Sequence, residues 1–213
     1  MNVVVIDLGI GNLMSIIRGL EYCGAKVIVT SNPEIILNSS HVVLPGDGAF
    51  KFAMEQVKKR NLLNTLKSFN KSNSNLLGIC IGMQMLFDES SEFENYEGLG
   101  LISGKVVPIP NKDTNGKKLT LPHIGWNNLQ KSDHLKNWNE TLLENNKVKD
   151  EMYFIHSYMA TPLNPSCKVA VCIYGGHKIT AVVMKNKITG CQFHPEKSGN
   201  LGLKILKKFI EKK

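Results

Sequence analysis

Three short stretches carry residue types that can do chemistry together. The first is Gly78-Ile79-Cys80-Ile81-Gly82, a cysteine held between two glycines. The apolar Leu76-Leu77 precedes it and the helix-like pattern Met83-Gln84-Met85-Leu86-Phe87 follows. This is the form of a nucleophile elbow, in which a strand meets a helix at one strained residue. Glycines two before and two after the nucleophile let strand and helix approach where a Cβ would collide. The turn pushes the thiol out at the carboxyl end of the strand. The helix that starts there aims backbone N–H groups at the sulfur and at any oxyanion formed beside it. The second stretch is His194-Pro195-Glu196. In extended chain this spacing puts both side chains on one side, so the carboxylate can orient the imidazole and stabilise its charged form. The third is Pro45-Gly46-Asp47-Gly48, a loop rich in exposable N–H groups after the apolar run His41 to Leu44. Together they describe acyl transfer through a thioester. Cys80 attacks a carbonyl, His194 carries the proton, Glu196 supports His194, and the amides of Ile81 and of the Gly46–Gly48 loop hold the oxyanion.

Taken singly, each stretch also has an ordinary structural reading. Gly-x-Cys-x-Gly suits a buried thiol in a tight turn, the glycine loop suits a plain turn, and most of the six histidines suit the core or the surface. Cys80 and His194 lie far apart in the chain, so the chemistry depends on a fold that joins them.

The elements that must do this alternate in type. Val3 to Ile6, Lys26 to Thr30, His41 to Leu44 and Leu76 to Ile79 are short apolar runs, suited to strands buried on both faces. Between them lie helical patterns. One runs over Asn12 to Leu20 and closes at Gly24. One starts at Ser31-Asn32-Pro33-Glu34. One has Phe52, Met54 and Val57 as its apolar face, and Leu62 to Phe69 continues it or begins another. The alternation predicts an α/β fold, a mostly parallel central sheet flanked by helices, with its functional loops at the carboxyl ends of the strands. Ser90 to Gly100 reads as loop. From Leu101 the texture changes to strands joined by turns: Val106 to Pro110, Lys118 to Ile124, Glu151 to Tyr158, Val169 to Tyr174 and Ile179 to Met184. Asn115-Gly116 has hairpin composition. This predicts an antiparallel extension of one domain spanning 1–213. Ser198 is expected to cap a last helix with Leu201, Leu203, Ile205, Leu206, Phe209 and Ile210 as its apolar face.

Composition narrows the function classes. The net charge of +8 invites nucleic acid, but among 26 basic residues only Arg18 and Arg60 are arginines, and the lysines are spread along the chain. Gly9-Ile10-Gly11 has Met14 where a dinucleotide fingerprint has its third glycine, so a nucleotide cofactor is not indicated. Five cysteines without a Cys-x-x-Cys pair point to neither a disulfide framework nor a metal site, and Cys172 and Cys191 read as small core residues. No apolar stretch is long enough to cross a bilayer and the N-terminus reads as a strand, so a cytoplasmic location is expected.

The sequence resembles the triad, or class I, glutamine amidotransferases. More narrowly it resembles the glutaminase subunits of imidazole glycerol phosphate synthases. The match is carried by Asp7-Leu8-Gly9-Ile10-Gly11-Asn12, Leu44 to Phe50, Leu77 to Gln84, Pro122-His123-Ile124-Gly125-Trp126-Asn127, Tyr153-Phe154-Ile155-His156-Ser157-Tyr158 and Gln192 to Gly199, which run from end to end. The resemblance implies a flavodoxin-like fold and a Cys80-His194-Glu196 triad without cofactor or metal. It implies glutamine held with help from Gly48, Gln84 and the Ser157-Tyr158 backbone. It further implies ammonia passed to a (β/α)8-barrel cyclase partner in a heterodimer of histidine biosynthesis, with Asn12, Trp126, Tyr153 and Lys197 near that partner. One position departs from the family, which usually has a small apolar residue where Asp47 stands. A carboxylate pointing inward would oppose the oxyanion, so Asp47 is expected to point outward or to meet the partner. A paralogous glutaminase serving a surface-sugar amidotransferase, a non-catalytic subunit of the same fold, and a hydrolase of γ-glutamyl peptides are the alternatives.

Overall fold

The computed structural model describes residues 1–212. Its strands in chain order are β1 (Asn2–Ile6), β2 (Lys26–Thr30), β3 (His41–Leu44), β4 (Asn75–Ile79), β5 (Glu89–Ser90), β6 (Tyr96–Glu97), β7 (Gly104–Pro108), β8 (His123–Asn128), β9 (Gln130–Lys131), β10 (Glu151–His156), β11 (Tyr158–Pro162), β12 (Lys168–Tyr174), β13 (His177–Lys185) and β14 (Ile188–Cys191). The helices are α1 (Leu13–Tyr22), α2 (Pro33–Leu37), α3 (Phe50–Lys59), α4 (Leu63–Lys67), α5 (Ile81–Met85) and α6 (Gly199–Glu211).

The main sheet has the order β2-β1-β3-β4-β14-β13-β12-β9. Strands β1 to β4 and β14 run parallel, and β13, β12 and β9 extend the sheet antiparallel. The α/β class expected from the alternation is therefore observed. The central parallel strands are mostly apolar because helices cover both faces: Val3, Val4, Val5, Val42, Val43, Leu76 and Leu77 are wholly buried. Phe50, Phe87, Phe154, Phe193 and Phe209 fill the largest spaces in one continuous core. Each such side chain contributes about 1.5–3 kcal/mol by leaving water.

The helix ends follow local chemistry. Asn12 caps α1 by accepting from Met14 N–H, and Asn32 caps α2 before Pro33. Gly24, at φ +94°, closes α1 through Gly24 N–H to Glu21 O. Gly175 and Gly176, at φ +57° and +82°, form the two-residue turn between β12 and β13.

Four local expectations change. Ser90 to Gly100 is not all loop: β5 and β6 pair there, in a second sheet of order β11-β7-β5-β6. These strands are two residues long, and backbone pairing at the surface needs no apolar pattern. The strand expected over Lys118 to Ile124 starts later, at His123, after Pro122, which has no N–H to give a ladder. Lys118 makes only an isolated bridge with Lys112, around the Asn115-Gly116 turn. Glu151 to Tyr158 breaks at Ser157, because His156 pairs with His123 in the β8–β10 ribbon while Tyr158 pairs with Pro108 on β7. Phe52 is half exposed rather than part of the core face of α3, which is made by Phe50, Ala53, Met54 and Val57. Leu63 to Lys67 begins a separate short helix, α4.

Candidate active site

Four parallel strands lie side by side as β1, β3, β4 and β14, and all end at the same edge. Their carboxyl ends deliver the Gly9–Asn12 loop, the Pro45–Gly48 loop, Cys80 and His194. The strand order reverses at β1, which opens a crevice at that edge.

Cys80 has φ +54° and ψ −113°, a conformation that costs a non-glycine residue free energy and that the surrounding fold must enforce. The neighbouring glycines allow it. A Cβ on Gly82 would stand 1.9 Å from Leu44 O, and one on Gly46 would stand 2.6 Å from Gly82 N. The elbow and the glycine loop are thus interlocked at backbone distance. Cys80 N–H donates to Cys191 O at 2.8 Å, so β14 runs directly beside the nucleophile. Helix α5 spans only five residues. Its first N–H groups, rather than a long summed dipole, are what the sulfur meets, because the macrodipole grows with the number of aligned peptides.

Three residues beyond β14, the chain turns at His194. Glu196 reaches it by a route other than the one its spacing suggests. His194 is extended, but Pro195–Lys197 forms a single 3-10 turn, and that turn folds the carboxylate back onto the ring. Glu196 Oε1 accepts from His194 Nδ1–H at 2.7 Å, with both side chains nearly excluded from water. Ser198 does not cap α6 with its side chain. Its Oγ instead donates to His194 O at 2.6 Å and accepts from Tyr153 N–H at 3.0 Å. His194 N–H donates to Tyr153 O at 3.0 Å. The histidine is therefore clamped to β10.

With Nδ1 committed to Glu196, His194 Nε2 is the nitrogen available to the nucleophile. It is buried and has no closed hydrogen bond among the described residues. Burial opposes charge on the ring, but the Cys80 sulfur and the Glu196 carboxylate outweigh it and hold His194 above the ordinary histidine range. The thiol faces the Ile155 carbonyl at 3.9 Å, and the Gln192 amide nitrogen lies 3.9 Å from the sulfur. Cys172 and Cys191 are different. Burial pushes the Cys172 thiol up to about 12 and the Cys191 thiol higher still, as befits small core residues.

A cavity of about 240 Å³ opens over Cys80. Asp47, Gly48, Ile81, Gln84, Ser157 and Tyr158 line it; of the predicted substrate and oxyanion residues, Gly46 is the one that does not. Gln84 is buried, and its Nε2 donates to Tyr158 O at 3.2 Å and to Gln192 Oε1 at 3.0 Å. Its Oε1 has no partner among the described residues. Glu92 also lines the cavity and accepts from Phe50 N–H at 2.6 Å. Sequence reading missed Glu92 because it lies in the polar stretch taken for loop, and no local pattern marks it. A second, much smaller cavity of about 20 Å³ lies behind the triad, between the Gly11–Asn12 and Gly46–Asp47 segments. Asp47 points toward it. Its Oδ2 accepts from Asn12 N–H at 3.3 Å, and a Cβ on Gly11 would meet the same oxygen at 2.8 Å. The carboxylate is thus turned to the β1–α1 loop.

Trp126 and Tyr153 sit side by side on the outer face of the β8–β10 ribbon, rings 6.0 Å apart. Ile124, Trp126 and Ile155 are exposed there at 56, 55 and 40%. Asn12 and Lys197 are exposed as well.

The whole chain has known relatives. The family model for glutamine amidotransferase class-I matches residues 4–213. Imidazole glycerol phosphate synthase subunit HisH 1 of Legionella pneumophila is 42% identical over 210 residues, covering 99% of each chain. Subunit HisH of Lactococcus lactis is 42% identical over 211 residues, covering 98% of each. Subunit HisH of Bacillus thuringiensis is 40% identical over 215 residues, covering 97% of this chain and 93% of that protein. Among solved structures, a glutamine amidotransferase superposes with a TM-score of 0.72 at 16% identity, over 98% of this chain and 97% of that one. A glutamine amidotransferase from Thermotoga maritima superposes with a TM-score of 0.61 at 16% identity, over 92% and 76%. These two likenesses concern the fold. A buried Cys-His-Glu constellation on a strained elbow, and relatives matched from end to end, lead to one conclusion: the chain belongs to the class-I glutamine amidotransferases and, within them, to the HisH subunits of imidazole glycerol phosphate synthase.

Proposed function

We propose that residues 1–213 form one glutamine amidotransferase domain, the glutaminase subunit of an imidazole glycerol phosphate synthase in histidine biosynthesis. It hydrolyses L-glutamine through a Cys80 thioester and passes ammonia to a (β/α)8-barrel cyclase with which it forms a heterodimer. The observation that carries the reading is Cys80 in its strained turn at the floor of a cavity large enough for an amino acid, beside a histidine held by a buried carboxylate at 2.7 Å. The relatives' shared identity as HisH subunits supports the pathway.

In this reading Cys80 Sγ attacks the side-chain carbonyl carbon of glutamine as its proton passes to His194 Nε2. The oxyanion is held by Ile81 N–H and by amides of the Gly46–Gly48 loop. The tetrahedral intermediate collapses, His194 gives its proton to the amide nitrogen, and ammonia leaves a thioester. Water then attacks the thioester with His194 as base. The second collapse returns the thiol and releases glutamate. Glu196 keeps the proton-carrying nitrogen turned to the sulfur throughout. Gln84, Gly48 and the Ser157-Tyr158 backbone hold the substrate, and Glu92 supplies negative charge for its ammonium group. Asn12, Trp126, Tyr153 and Lys197 face the cyclase, the aromatic pair giving the docking face its apolar centre.

The test is glutamine hydrolysis by the reconstituted heterodimer. Cys80→Ala should abolish glutamate production, and a glutamine-analogue electrophile should label Cys80 in the wild type. Retained turnover in the alanine variant would sink the mechanism. Glutamine-dependent formation of imidazole glycerol phosphate, compared with the rate on added ammonia, tests the acceptor.

A further inference from the structure

Two buried histidines on the inner side of the β8–β10 ribbon take no part in the proton transfers above. His123 on β8 and His156 on β10 are paired in register, 3% and 6% exposed. His123 is stacked between Phe154 and Tyr174, at ring distances of 5.1 and 4.1 Å.

Their hydrogen bonds form a single line. Asn127 Nδ2 donates to Ile173 O at 2.9 Å and to His123 Nε2 at 3.2 Å. His123 Nδ1 lies 3.2 Å from His156 Nε2, and His156 Nδ1 lies 2.7 Å from Tyr158 O. The protons can be assigned from the two ends. Asn127 Oδ1 is occupied by Asn128 N–H at 2.8 Å, so the amide nitrogen is the group that faces His123, and it can only donate. The Tyr158 carbonyl can only accept. His123 must therefore carry its proton on Nδ1 and accept at Nε2, and His156 must do the same. Both rings are neutral, and burial, which depresses each to about 4, agrees. The line does not stop at Tyr158. The same carbonyl accepts from Gln84 Nε2 at 3.2 Å, and Gln84 lines the cavity above Cys80.

We propose that Asn127, His123 and His156 form a neutral, one-directional hydrogen-bond relay that positions the Tyr158 carbonyl and, through it, the Gln84 side chain for binding glutamine. His123 and His156 are positioning residues: they act through Tyr158 and Gln84 and do not touch the substrate. Because Gln84 gives both N–H groups to Tyr158 O and Gln192 Oε1, its unpartnered Oε1 is presented as an acceptor for bound glutamine. The relay also joins two faces of one ribbon. Trp126 and Ile155 point outward next to Asn127 and His156, so the surface offered to the cyclase and the wall of the glutamine cavity share a backbone. The inference rests on the glutaminase reading.

The test uses the heterodimer. His123→Phe keeps an aromatic ring between Phe154 and Tyr174 but removes both hydrogen bonds. It should raise the glutamine KM roughly tenfold, with kcat changed by less than about twofold. His156→Leu should do the same. His156→Asn should recover most of the KM, because an asparagine amide can stand where Nδ1 donates to Tyr158. In the wild type, nitrogen-15 spectra should show both rings neutral and protonated on Nδ1 at pH 6.5–7.5, the tautomer less favoured in free histidine. The spectra need no variant, so poor folding of one leaves the proposal testable. An unchanged KM in folded His123→Phe and His156→Leu would overturn it. So would equal losses in His156→Leu and His156→Asn, or a proton on Nε2 of either ring. Absence of glutamine hydrolysis and of Cys80 labelling in the wild type would instead remove the glutaminase reading, and the tautomers would still decide the relay.

Discussion

At the scale of single residues, charge placement separates the groups that react from those that hold. Asp47 stands in the loop expected to cradle an oxyanion, yet its carboxylate accepts from Asn12 N–H and faces the β1–α1 loop. Coulomb repulsion falls with distance and orientation, so this charge should weigh little on the reaction. Asp47→Asn should leave kcat of the heterodimer within about threefold of wild type, since the neutral amide keeps an acceptor for Asn12. A large gain in kcat would mean that the carboxylate does oppose the oxyanion. His123 and His156 make a different residue-scale prediction. Both are held by burial at about 4, below the ordinary 6.5. The unfolded chain takes up their protons as pH falls through 6.5, while the folded chain does not until near 4. Their contribution to stability is therefore complete above pH 6.5 and is lost as pH falls from 6.5 to 4. The loss should be on the order of 1–3 kcal/mol per ring, read from denaturant midpoints across that window. His123→Phe should flatten the dependence.

At the scale of elements, the elbow works because three backbone segments meet without side chains between them. Gly46, Gly78 and Gly82 each stand where a Cβ would fall inside a neighbouring backbone atom's radius. Gly82→Ala places a methyl group 1.9 Å from Leu44 O, which must displace β3 or α5. The expected cost is roughly 3 kcal/mol in a chemical denaturation experiment, together with loss of glutaminase activity as Cys80 moves. A fully stable, active variant would show that the interlock is not required. The β8–β10 ribbon is the other decisive element. Its alternation sends Ile124, Trp126, Tyr153 and Ile155 outward and His123, Phe154 and His156 inward. Tyr153 also holds the catalytic histidine by its backbone. One ribbon thus carries the Trp126–Tyr153 face, holds the imidazole and walls the cavity over Cys80.

At the scale of the whole molecule, the strand order brings four carboxyl ends to one edge, and exposed Trp126 beside half-buried Tyr153 lies on the ribbon packed against that edge. An apolar, aromatic-centred patch of this kind is where interface energy concentrates. Trp126→Ala should weaken the complex with the cyclase by roughly 10- to 100-fold in Kd, measured by calorimetry or sedimentation, without altering the fold of the free subunit. Unchanged affinity would move the interface elsewhere. Among the described residues no helix is long and apolar enough to cross a membrane.

The chemistry was legible in the chain because it is written locally. The Gly-x-Cys-x-Gly turn, the glycine loop and the His-Pro-Glu segment are each ambiguous alone but agree on one chemistry when read together, and the alternation of apolar runs and helices is a periodic signal that survives without any tertiary contact. Strands β1 to β4 and the helices between them follow from that signal. What depended on distant contacts was not legible. Glu92 enters the cavity only because β5 and β6 pair beneath a polar stretch. Glu196 reaches His194 through a 3-10 turn that its spacing alone does not distinguish from extended chain. Ser198 clamps His194 to Tyr153 instead of capping a helix, because β10 comes within reach. The orientation of Asp47 and the protonation of His123 and His156 are likewise properties of neighbours brought from elsewhere in the chain. Residue identity and short spacing set the reaction available to this protein. The tertiary structure alone set where each charge points and which nitrogen carries each proton, because those choices depend on partners that only folding brings within hydrogen-bond distance.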